Sequence, residues 1–262
     1  MRSPWDYRVQ LVLPHIDTIE QLEVIIPLWS LQTVVPWICV VDTGTSRDQW
    51  DRLLDLTHKY TNVEVHFLCG REYFHASEPV STALDVATAR CQQEYQLHSH
   101  VDVAPMSRHV VERWLSHCGP DDPVVGFEIS PRDEKQGKLR DMWRGMVGHT
   151  MTMLHMPTID QHPIPWRLTL GHQQFGMDES TDTEVPFNLH LRARGIEPRL
   201  LGSDVNYERQ QNEWFDHCRS YPSSKMYSPS YFATAEEWMK DWLQEARLRA
   251  ARWQLDDRTV KR

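Results

Sequence analysis

Hydrophobic positions in the first hundred residues alternate between a period of two and a period of three to four. Tyr7 to Leu13 alternates as a strand that Pro14 ends, and Thr18 then caps a helix carrying Leu22, Ile25, Ile26 and Trp29 on one face. Pro27 is expected to kink that helix or end its first part. Trp37 to Val41 is a continuous apolar run, the mark of a buried parallel strand, and it stops at Asp42-Thr43-Gly44-Thr45-Ser46. A second helix follows with Trp50, Leu53, Leu54 and Thr57 on one face, then a strand over Val63 to Leu68 and a helix over Pro79 to Gln93. A fourth strand begins at Tyr95.

Strands alternating with helices through short joins predict an α/β fold with a mainly parallel sheet covered on both faces. Ligands of such sheets gather at the carboxyl ends of the strands, where Asp42 and the His100/Asp102 pair both fall. Beyond Val103 the pattern is less regular. Helices are expected over Ser107 to Cys118 and Asp182 to Arg194, the latter closed by Gly195, and strands over Val124 to Ile129, Met151 to Met156 and Arg199 to Leu201. Pro131 to Lys138 reads as a charged loop. A long helix over Ala235 to Trp253 carries Trp238, Met239, Trp242, Leu243 and Ala246 as a packing stripe.

The chain has 262 residues, 25% of them charged and 40% hydrophobic, which is ordinary for a globular protein with a sizeable core. A formal charge of -9 argues against a broad basic surface for nucleic acid; only the stretch from Arg247 to Arg262 is locally basic. Five scattered cysteines without a C-x-x-C pair suggest reduced thiols. No apolar run is long enough to span a bilayer and the first residues do not resemble a secretion signal, so a cytoplasmic location is expected.

The segment with most chemistry is Tyr95 to Val103. If it stays extended, His98, His100 and Asp102 alternate onto one face, where two imidazoles and a carboxylate can hold a divalent ion. The plainer alternative is a polar strand end facing solvent.

The order of these pieces resembles the GT-A fold of nucleotide-sugar glycosyltransferases of the family-2 type. The resemblance rests on Val9 to Pro14, Val40 to Ser46, His100 to Val103 and Thr181 to Glu184. It implies a metal-assisted, inverting sugar transfer from a nucleotide-sugar donor, a uridine diphosphate sugar being favoured, to an acceptor hydroxyl. Carried over, Asp42 contacts the base, flanked by Pro14 and His15, with Gly44 in the same turn and Asp85 in the helix before the metal motif. His100 replaces the first aspartate of the family's D-x-D motif, so His100 and Asp102, with His217 from far along the chain, are the implied metal ligands. Imidazole suits manganese, cobalt or zinc better than magnesium, and the resemblance implies manganese, with magnesium possible. Arg219, with Lys225 nearby, is implied to hold the diphosphate, and Asp182 to act as the base, with Glu184 in reserve.

The resemblance divides the chain into a catalytic domain, 1–220, made of a nucleotide-binding half (1–103) and an acceptor half (104–220), and a helical extension, 221–262. Two other readings stand beside it. One is a zinc hydrolase using His98, His100 and Asp102, which match the first part of an H-x-H-x-D-H signature, although Val103 occupies the place of its final histidine. The other is a GT-A domain that binds a nucleotide or glycan without chemistry. The acceptor stays open among a glycan, a small metabolite, a protein hydroxyl and a modified DNA base.

Overall fold

The alternation of β1 (Val9–His15) divides the interior in two: Val9, Leu11 and Leu13 point into one apolar cluster and Val12 into another. Strand β2 (Trp37–Asp42) repeats the division, with Ile38 and Val40 on the first side and Cys39 and Val41 on the second. Both faces are buried, so these strands read as apolar runs. The computed structural model describes residues 3–68, 78–129, 145–161, 164–166, 184–204, 209–218 and 229–260.

Helices α1 (Ile19–Ser30) and α2 (Trp50–Lys59) bury Leu22, Ile25, Trp29, Leu53 and Leu56 in the first cluster. Helix α3 (Glu78–Arg90) buries Ala83, Leu84 and Ala87 in the second. Pro27 lies inside α1 without ending it. A lost backbone bond and ring clash cost about 3 kcal/mol, whereas each buried large apolar side chain returns roughly 1.5–3 kcal/mol. Ile25, Ile26, Leu28 and Trp29, all fully buried, therefore carry the helix through.

Strands β3 (Val63–Phe67), β4 (Tyr95–Ser99), β6 (Val124–Ile129), β7 (Val147–His155) and β8 (Arg199–Asp204) complete a seven-stranded sheet in the order β3-β2-β1-β4-β7-β6-β8. Neighbours pair in parallel except at β7, which runs against both β4 and β6. Pro14 is tolerated in β1 because the ladder to β4 stops at Val12, while the ladder to β2 continues to His15 and Asp42. Gly126 in β6 marks a close approach: a Cβ there would meet the Val147 side chain and lie 2.6 Å from Thr152 Oγ1.

The remaining elements are β5 (Val103–Pro105), α4 (Val110–Leu115), α5 (Met156–Ile159), α6 (Glu184–Ala193), β9 (Gln210–Gln211), β10 (Phe215–His217) and α7 (Pro229–Val260). The expected cap of α6 is present: Gly195 has φ +69°, its N–H reaches Arg192 O, and Ile196 N–H reaches Leu191 O. Residues 131–138, expected as a charged loop, lie outside the described residues. Strands β5, β10 and β9 form a second, antiparallel sheet. Helix α7 packs Met239, Trp242, Leu243, Ala246 and Ala250 into the first cluster, longer at both ends than its stripe predicts. No helix among the described residues is long and apolar enough to cross a membrane.

Candidate active site

Parallel pairing puts the carboxyl ends of β1, β2 and β4 on one edge of the sheet, so His15, Asp42 and Ser99 end together, with β1 between the other two. At the β1 and β2 tips, Asp42 is 1% exposed. Its Oδ1 accepts from His15 Nδ1 at 3.0 Å and from the Thr45 N–H at 3.2 Å. Thr43 ties the two tips by giving both its N–H and its hydroxyl to His15 O. Gly44, at φ +146°, occupies backbone space that a side chain would strain and lets the turn close. Asp42 Oδ2 is buried and has no hydrogen-bond partner among the described residues. An unsatisfied buried acceptor costs about 1–3 kcal/mol, which an arriving donor recovers.

The strand from Tyr95 stops at Ser99 rather than running on to Val103. His100 to Val103 forms a turn closed by Val103 N–H to His100 O at 3.2 Å, after which β5 joins the second sheet. The expected single face of His98, His100 and Asp102 is therefore broken. His98 is fully buried, its Nε2 bonds Gln96 Oε1 at 2.7 Å, and its ring packs edge-on against Trp166 at 4.9 Å. Burial, helped by nearby His149, pushes its pKa down to about 3, so it stays neutral. It is a core histidine, and the His98/His100/Asp102 hydrolase set does not form.

The third histidine of the cluster is His217, the distant ligand that the family resemblance implies, and not His98. The β5/β10 register pairs His217 with Val103, and Cys218 N–H bonds Asp102 O at 2.9 Å. His217 Nε2 then lies 3.5 Å from Asp102 Oδ1, and His100 Nδ1 lies 3.9 Å from the same oxygen. One donor atom from each of the three lies within 4.8 Å of the others. Donors held about 2.1 Å from a common ion stand roughly 3–3.4 Å apart, so a small inward adjustment fits one. Two imidazoles and one carboxylate are a borderline donor set suited to manganese, cobalt or zinc.

His149 escaped the sequence reading. Strand β7 pairs Met151 with Ser99, so two residues further it runs beside the His100 turn. The His149 ring lies 4.3 Å from that of His100 and 6.3 Å from that of Trp166, which stacks on Phe187 at 3.7 Å. Asp85 joins this wall from α3: its Oδ1 accepts the backbone N–H of Trp166 at 2.7 Å. No local pattern marks His149; only the β7 register does. Glu184 opens α6, while Asp182, Arg219 and Lys225 lie outside the described residues.

Comparison of the sequence with protein-family models and with curated proteins gave no match. The structure is similar to that of the mannosyltransferase PcManGT from Pyrobaculum calidifontis in complex with GDP-Man and Mn2+, with a TM-score of 0.55 and 11% identity, covering 96% of this chain and 77% of that one. It is also similar to S. aureus TarS in complex with UDP-GlcNAc, with a TM-score of 0.51 and 13% identity, covering 87% of this chain and 64% of that one. An active-site mutant of LgtC aligns with a TM-score of 0.51 and 14% identity, covering 69% of this chain and 70% of that one. The fold is that of the GT-A glycosyltransferases.

Proposed function

We propose that this chain is a glycosyltransferase that moves a sugar from a nucleoside-diphosphate sugar to an acceptor hydroxyl, with inversion at the anomeric carbon. The reading rests on one observation: His100, Asp102 and His217 converge beyond the sheet edge at which Asp42 also ends its strand. In this reading Asp42 accepts a hydrogen bond from the base, with Pro14, His15 and Gly44 shaping the tips around it. His100, Asp102 and His217 hold a divalent ion, manganese being favoured and magnesium the alternative. When bound, that ion supplies positive charge against the departing nucleoside diphosphate.

Arg219 adds a fixed positive charge for the same diphosphate, and Asp85 contributes by holding Trp166 beside His149. Asp182 takes the proton of the attacking hydroxyl, and Glu184, two residues on at the start of α6, stands in reserve. Two of the similar solved structures hold nucleotide sugars and one of those holds Mn2+, which supports the donor class.

The test is release of nucleoside diphosphate from a panel of sugar donors in manganese. Asp102→Ala should abolish ion-stimulated donor cleavage, and Asp182→Asn should block transfer while leaving donor binding intact. Normal turnover by both variants refutes the residue roles. Nucleotide binding without release from any donor, whatever the acceptor, would leave a GT-A binding domain without chemistry.

A further inference from the structure

We propose that His15 determines base specificity: by holding one oxygen of Asp42 it leaves a single carboxylate acceptor, which selects uracil, with its one ring N–H, against guanine. The inference rests on the glycosyltransferase reading and on Asp42 meeting the base.

The hydrogen-bond pattern fixes the imidazole. His15 Nε2 accepts the Thr18 N–H at 3.2 Å, so in the neutral ring the proton sits on Nδ1. That Nδ1–H is shared between Asp42 Oδ1 at 3.0 Å and Thr45 Oγ1 at 3.1 Å. Thr45 Oγ1 is itself held by the Asp17 N–H at 3.0 Å, and Asp42 Oδ1 takes a second donor, the Thr45 N–H, at 3.2 Å. One backbone amide holds the ring directly and two more hold the groups its Nδ1–H meets, around a residue that is 1% exposed, and Oδ1 is saturated. Oδ2, buried and unpartnered among the described residues, is the acceptor that remains.

Guanine presents N1–H and the 2-amino group side by side, a pair that a carboxylate answers with both oxygens. With Oδ1 taken, one guanine donor is left unpaired in a desolvated site, the kind of mismatch on which polar specificity depends. Uracil N3–H is a single donor flanked by two acceptors, and Oδ2 alone satisfies it. Adenine and cytosine each place a ring nitrogen lone pair beside their amino group, facing the carboxylate, and are disfavoured by repulsion.

The experiment titrates the full chain, in manganese chloride, with uridine, guanosine and inosine diphosphates and with N3-methyluridine diphosphate. Inosine lacks the 2-amino group and offers one ring N–H. Uridine diphosphate should bind about tenfold or more tighter than guanosine diphosphate, inosine diphosphate should bind tighter than guanosine diphosphate, and N3-methylation should cost about tenfold or more. The His15→Gln variant should narrow the uridine-to-guanosine ratio. Guanosine diphosphate binding as tightly as uridine and inosine diphosphates overturns the His15 inference and leaves the glycosyltransferase reading standing. Failure of every nucleotide to bind overturns both.

Discussion

The indole N–H of Trp242 donates to the backbone carbonyl of Asp216 at 2.9 Å, fastening α7 to the short strand that ends in His217. The Asp216 side chain, fully buried, is forked by Arg209 at 3.1 and 2.9 Å and reached by Arg249 Nη2 at 3.4 Å, while Arg249 also bonds Pro105 O on β5. Burial lowers the pKa of Arg249, partly offset by Asp216, so the carboxylate keeps that cation in place. The last helix therefore braces the second sheet, from which one candidate ligand extends.

Trp242→Phe keeps most of the apolar contact but removes this donor. It should cost about 1–3 kcal/mol, because a buried carbonyl loses a partner. Trp242→Ala should cost about 3–5 kcal/mol through the cavity it adds. Urea denaturation midpoints check both values, and an unchanged midpoint for the phenylalanine variant would mean that the bond contributes nothing.

Gly126 makes a second prediction about the sheet. An added Cβ would clash with the Val147 side chain and approach Met151 O to 3.3 Å, at the point where the β6 register shifts. Gly126→Ala should destabilise by roughly 1–3 kcal/mol. Because the nearest atom is a valine methyl, the double variant with Val147→Ala should recover part of that loss. Strictly additive costs in thermal unfolding would show that the contact is not the cause.

The nucleotide half was legible because its signals are local. Alternation in β1, the apolar run of β2 and the helical spacing between them fixed a parallel sheet, and parallel pairing alone sends His15 and Asp42 to one edge. Where β4 stops was not local information. Val103 leaves the sheet because its partner is His217, which lies far along the chain, and nothing in His98 to Asp102 announces that pairing. The same long-range pairing took His98 out of the expected face and brought in His217, which only the family resemblance, and no local pattern, had implied. His149 was missed for a related reason: β7 begins at Val147, four residues before the expected start, and its register sets that histidine against His100.

The thiols give a prediction in pH. Burial raises Cys91 and Cys118 to about 12 from 9.0, with smaller contributions from the carboxylates of Asp160 and Glu64 on Cys91 and of Asp122 on Cys118. An unfolded chain releases these protons near pH 9 while the folded chain keeps them, so the folded state binds more protons above that pH. Stability should be intact below pH 9 and should fall, by up to about 1.4 kcal/mol per pH unit for each thiol, between pH 9 and 12. Cys118, which is buried, should accordingly resist iodoacetamide at pH 8 until the chain is denatured, and half-buried Cys91 should react slowly because little of it is thiolate at that pH. Rapid alkylation of Cys118 in the folded protein would contradict its burial.

His98 and His217 separate a packing role from a ligand role in one experiment. His98→Ala removes a buried imidazole and its bond to Gln96, so it should lower stability in the absence of metal by about 1–3 kcal/mol. It should leave the melting-temperature increase produced by manganese unchanged, because His98 is outside the cluster of His100, Asp102 and His217. His217→Ala also truncates a buried side chain and should lower metal-free stability too, but unlike His98→Ala it should sharply reduce the manganese response. Losing a direct ligand should weaken ion affinity by at least the roughly 10–100-fold seen when supporting residues around metal sites are removed. At a manganese concentration well above even the weakened dissociation constant, a hundredfold loss removes about 2.7 kcal/mol of ion-linked stabilisation, which a thermal scan resolves. An ion response lost in His98→Ala and kept in His217→Ala would restore the H-x-H-x-D reading and remove the second sheet from the site.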